Sequence, residues 1–128
     1  QAGNTFKLNP IRRNVRTDLA VYTVAEFPAS PVQISYIAPS PGSYVVLVGN
    51  PSGDEDVITE GVVCRLVDTR YYITNKMFFG NSGGALYYKG KVVGVCHAID
   101  LFNSQQVQET YGVIIGLKDI MSILEGLQ

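Results

Sequence analysis

Apolar residues along the chain fall in short runs rich in Val, Ile and Tyr, each bounded by Gly, Pro, Asn or Ser. That is the pattern of strands joined by turns. It predicts strands over Thr5 to Leu8, Leu19 to Val24, Val32 to Ile37, Tyr44 to Gly49, Val57 to Val67, Tyr71 to Thr74, Ala85 to Tyr88, Lys91 to Ala98 and Tyr111 to Ile115. Turn-forming sequence separates them at Pro39-Ser40-Pro41-Gly42, Asn50-Pro51-Ser52-Gly53 and Lys89-Gly90, where Pro presets φ and Gly admits positive φ. The last segment changes period. Leu117, Ile120, Met121, Leu124 and Leu127 recur at helical spacing, which predicts a short C-terminal helix docked by one apolar stripe. Regularly spaced short strands fit either a sandwich or a small barrel, and periodicity does not separate the two.

Composition narrows the class without naming a function. Of 128 residues, 46% are hydrophobic and 16% charged, enough apolar material for one compact core and too little charge for a disordered chain. A formal charge of -1, with Lys and Arg scattered, provides no basic field for a phosphate backbone, so nucleic acid is excluded as an expected partner. No apolar run approaches the ~20 residues of a membrane helix, and Gln1-Ala2-Gly3-Asn4 lacks the charged and apolar regions of a signal peptide. The expectation is a soluble chain, already processed. Cys64 and Cys96 have no metal-type spacing with each other or with His97, so a zinc site is not expected, and nothing in the sequence points to another metal or an organic cofactor. Whether the two thiols are small buried apolar groups or form a disulfide stays open, because sequence does not give their separation.

Candidate chemistry concentrates at Gly80-Asn81-Ser82-Gly83-Gly84, which sits between an aromatic segment and the strand Ala85-Leu86-Tyr87-Tyr88. Glycines let the backbone adopt positive φ and turn N–H groups toward one point, as stabilising an oxyanion beside a nucleophilic hydroxyl requires. The same pentapeptide also reads as an ordinary Gly-rich hairpin turn. Its context resembles the nucleophile region of trypsin-like peptidases: Gly-Asn-Ser-Gly-Gly-Ala-Leu is followed by Gly90-Lys91-Val92-Val93-Gly94-Val95. Two more segments are similar to that family, Thr17-Asp18-Leu19-Ala20-Val21 and Val48-Gly49-Asn50-Pro51-Ser52-Gly53 followed by Ile58-Thr59-Glu60-Gly61-Val62-Val63.

The resemblance implies an all-β, chymotrypsin-like double β-barrel with a short C-terminal helix, the second barrel complete and the first truncated. It divides the chain into a remnant of the N-terminal barrel at 1–28 and a C-terminal barrel with its helix at 29–128. It implies a serine endopeptidase acting on polypeptide substrates by acyl transfer to Ser82. Asp18 would orient the imidazole base, and the N–H groups of Gly80 and Ser82 would form the oxyanion hole.

The sequence departs from the family at the base. No histidine precedes Asp18, and His97, the single histidine, follows Ser82 on a strand that in this family walls the specificity pocket. A six-stranded barrel needs at least ~50 residues, more than Gln1 to Pro28 supply. The expectation is therefore that an N-terminal segment carrying the base is supplied from elsewhere, and that the chain is inactive without it. Val93-Gly94-Val95-Cys96-His97-Ala98 looks like the pocket strand of glutamyl endopeptidases, exfoliative toxins and picornavirus-like main proteases, with one extra residue between Gly94 and His97. That likeness implies cleavage after Glu or Gln, with His97, Lys76 and Thr74 binding the substrate side chain. It also implies a viral polyprotein protease in a host cytoplasm, or else a secreted bacterial enzyme. The competing readings are a protease-fold module that binds a peptide strand without cutting it, and an unrelated β-barrel.

Overall fold

The computed structural model describes residues 6–49, 57–77, 82–103 and 108–127. Eight strands and one helix follow in chain order: β1 (Asn9–Asn14), β2 (Leu19–Thr23), β3 (Tyr44–Gly49), β4 (Val57–Val67), β5 (Arg70–Ile73), β6 (Ala85–Tyr88), β7 (Lys91–Asn103), β8 (Gln108–Gly116) and α1 (Leu117–Leu124). β1 and β2 make a two-stranded sheet, while the other six close a barrel in the order β3-β4-β5-β8-β7-β6. The closing pair is β3 with β6, in the register Val46↔Tyr87, Leu47↔Leu86 and Val48↔Ala85. Closure leaves the barrel without an unpaired edge.

Alternation along each strand decides what the barrel encloses. In β3, Val45 and Leu47 point inward and are buried while Tyr44 faces out and is exposed. Val63, Ile73, Leu86, Val93, Ile114 and Cys96 join them in one core cluster. Each fully buried aliphatic side chain contributes about 1.5–3 kcal/mol, so the barrel interior holds the domain together. The helix seats Leu117, Ile120 and Ile123 on this body. Its first turn is fixed by polar contacts: the Leu117 N–H donates to Tyr71 Oη at 2.9 Å, and Thr69 Oγ1 donates to Asp119 Oδ2 at 2.6 Å. At the far end, Arg12 Nη1 donates to the Ile123 and Glu125 carbonyls at 2.8 and 2.7 Å. Those carbonyls have no intrahelical partner, so an arginine of the hairpin caps the helix C-terminus.

Four predicted elements come out differently. The Val32 to Ile37 run is reduced to a single parallel bridge, Ile34↔Val92. Ser35 Oγ accepts from the Ile37 N–H and donates to the Ile37 carbonyl, both at 3.0 Å, which substitutes a local turn for strand pairing. The strand expected over Thr5 to Leu8 does not form: residues 6–8 are not strand, Thr5 lies outside the described residues, and β1 begins beyond them at Asn9. Its polar run NPIRRN pairs with β2 around a bulge between Pro10 and Arg12. β7 and β8 extend beyond the runs that predict them, as a ladder reaching the pair Asn103↔Gln108. The Asn50-Pro51-Ser52-Gly53 turn also lies outside the described residues.

Candidate active site

The turn at Ser82 is stitched to β7 by main-chain contacts. The Gly83 N–H donates to the Cys96 carbonyl and the Cys96 N–H to the Gly84 carbonyl, each at 2.8 Å. Gly83 has φ +88°, a conformation that L side chains rarely adopt. Held in this way, Ser82 is exposed and its Oγ donates to the main-chain carbonyl of His97 at 2.9 Å. Gly80 and Asn81 lie outside the described residues, so the oxyanion-hole assignment to Gly80 has no geometry to report.

Asp18 stands at the end of the turn between β1 and β2. Asn14 Oδ1 builds that turn by accepting from the Arg16 and Thr17 N–H groups at 3.0 and 3.2 Å. Asp18 itself has φ 60°, a left-handed conformation that aspartate tolerates better than most residues. Its Oδ2 lies 2.9 Å from Nδ1 of His97, with the two side chains 67% and 28% exposed. The β7–β8 register passes from Cys96↔Ile114 to Ala98↔Val113, leaving His97 as the extra residue of a bulge. A bulge re-aims the side chain it carries. The residue separating Gly94 from His97 in excess of the family pattern is therefore accommodated where the ring turns toward the hairpin.

Of the residues expected at the site, the fold gathers Ser82, His97 and Asp18. It ties Thr74 elsewhere, because its Oγ1 accepts from the Val62 N–H at 3.0 Å. Lys76 is exposed on the segment after β5. Both cysteines are reduced, with Cys64 exposed and Cys96 buried, so no disulfide joins them. Burial pushes the Cys96 thiol up to about 11. The His97 carbonyl accepts from Ser82 through the main chain, so side-chain identity in the sequence carries no signal of it. Two clefts of about 480 and 670 Å³ open elsewhere, and among the described residues neither is lined by Ser82, Asp18 or His97.

A family description, trypsin-like peptidase domain, matches residues 1–95. The chain belongs to this family. Among curated proteins, the trypsin-like domain is similar to a serine protease DegP homolog of Plasmodium falciparum, 34% identical over 89 residues that cover 60% of this chain and 10% of that protein. Among solved structures it resembles the Rv3671c protease of M. tuberculosis in its active form, with TM-score 0.81 and 21% identity over 96% of this chain and 59% of that chain. The serine endoprotease of Yersinia pestis gives TM-score 0.81 and 23% identity, covering 99% and 46%. At such identities the likeness is one of fold, and that fold is the expected chymotrypsin-like one. The closed six-strand barrel and C-terminal helix match it, and the β1–β2 hairpin fits a truncated first barrel. This trypsin-like chain spans a tenth of the curated relative and about half of these solved chains. The relatives are bacterial and protozoan, and a viral origin finds no support among them.

Proposed function

We propose that this chain is the nucleophile-bearing part of a serine endopeptidase that hydrolyses peptide bonds through Ser82. The observation that carries the reading is the approach of Asp18, from the hairpin, to the turn that presents Ser82: both are anchored on His97, one at 2.9 Å through the ring and the other at 2.9 Å through the main chain. In this reaction the Ser82 oxygen attacks the substrate carbonyl carbon, a base takes its proton, and the amine leaves with that proton. Water then hydrolyses the acyl-enzyme. Ser82 donates to a carbonyl and not to an imidazole, so the base comes from a histidine outside these 128 residues, with Asp18 orienting it. The exposed apolar residues of the hairpin region, Leu8, Ile11, Val15, Tyr22 and Phe27, offer that segment a surface to pack on. Residues 1–28 accordingly form the remnant of one barrel and 29–128 the other. Within the fold, His97 meets Asp18 through Nδ1 and Thr74 meets the Val62 N–H through Oγ1.

Intact mass after fluorophosphonate treatment tests it, on this chain alone and on the chain joined to its upstream coding segment. Labelling is expected only in the extended form and is abolished by Ser82→Ala. Absence of labelling in both forms would overturn the enzyme and leave a protease-fold module that binds a peptide as an added strand.

A further inference from the structure

His97 is the residue that the bulge between Cys96 and Ala98 leaves without a partner on β8, and its ring meets the hairpin turn. We infer that His97 is a positioning residue that holds Asp18 for the reaction at Ser82, an inference that rests on the acyl-transfer reading above. Asp18 sits at an exposed turn on a two-stranded sheet, where a carboxylate samples many directions unless something fixes it. Nδ1 of His97, 2.9 Å from Oδ2, is what fixes it. A contact whose carboxylate is 67% exposed adds little stability, so its consequence is directional. The main-chain carbonyl of the same residue accepts from Ser82 Oγ at 2.9 Å. His97 thereby places the nucleophile and the carboxylate in one frame, the first through its backbone and the second through its ring. Among the described residues Asp18 Oδ1 makes no hydrogen bond. That oxygen is left to accept an N–H from a second imidazole, so that one carboxylate bridges two rings: the barrel's own histidine and the incoming base.

The chain holds a single histidine, so imidazole N–H signals in ¹⁵N-edited NMR belong to His97 without further assignment. Asp18→Ala is expected to remove the hydrogen-bonded Nδ1 proton signal, and an unchanged spectrum overturns the hold. In the extended protein, His97→Ala should slow fluorophosphonate reaction at Ser82 by about ten- to a hundredfold, the scale of a misplaced catalytic group. His97→Asn, which keeps a side-chain N–H, should recover part of that loss. In an Asp18→Ala background, His97→Ala should add nothing. On peptide substrates kcat should fall while KM and the preference before the scissile bond stay unchanged. Equal slowing with and without Asp18 overturns the inference, as does a raised KM with altered preference at constant kcat. If the extended wild-type protein does not react at all, the acyl-transfer reading fails and the positioning role with it. The NMR comparison, made on this chain alone, tells that outcome apart from a missing Asp18–His97 bond.

Discussion

Cys96 lies 2% exposed beneath the residue that contacts both Ser82 and Asp18, and burial pushes its thiol up to about 11. An unfolded thiol titrates near about 8.5. The folded protein therefore keeps a proton that the unfolded chain releases, so this contribution is complete below about pH 8.5 and is lost as pH rises toward 11. The loss should reach about 3 kcal/mol, visible as a falling urea midpoint. In the native protein at pH 8, a thiol reagent should modify exposed Cys64 and spare Cys96, with both reacting after unfolding. At this scale the sequence was partly legible. Ser82 and Asp18 announce themselves through local motifs, since glycines and turn residues leave their mark within a few positions. The Asp18–His97 contact does not, because it joins residues 79 apart and depends on a bulge that only the β7–β8 register creates.

Elements whose two faces differ were easy to read, and those without a core were not. β3, β4 and β6 have the bounds that alternation predicts, because one face of each packs into the barrel. β1 was missed: a strand with Asn9, Pro10, Ile11 and Arg13 exposed has no apolar side to advertise. At the junction of β8 and α1, the sequence has Gly116 where space is exhausted. A Cβ there would meet the Thr69 carbonyl oxygen, and would lie 2.8 Å from two ring carbons of Tyr71. Gly116→Ala should thus destabilise by about 1–3 kcal/mol through overpacking. Gly42, at φ +92° with nothing within 4 Å, isolates the conformational cost, and Gly42→Ala should lose about 1–2 kcal/mol. Urea titration of the two variants separates them from wild type, and because the nearest atom to a Cβ at 116 is the main-chain carbonyl of Thr69, a smaller residue at Tyr71 should not restore Gly116→Ala.

Across the whole molecule, the hairpin is held to the barrel by polar contacts at separate points, Arg12 on the end of α1 and Asp18 on His97. Arg12→Met removes donors from two helix-end carbonyls and should lower stability by about 1–3 kcal/mol. It should also raise amide hydrogen exchange over 9–23 while leaving the barrel strands protected, and uniform loss of protection would contradict the separate attachment. Family and architecture were legible because the motif order survives along the chain; how the hairpin is fastened was not, since those contacts pair the first residues with the last. The barrel order carries a further consequence for how the protein is made. β8 is the shared neighbour of β5 and β7, yet it is the last of the six barrel strands in chain order. Until it leaves the ribosome, both of those strands wait with bare edges. The barrel therefore cannot close before all six of its strands are in place.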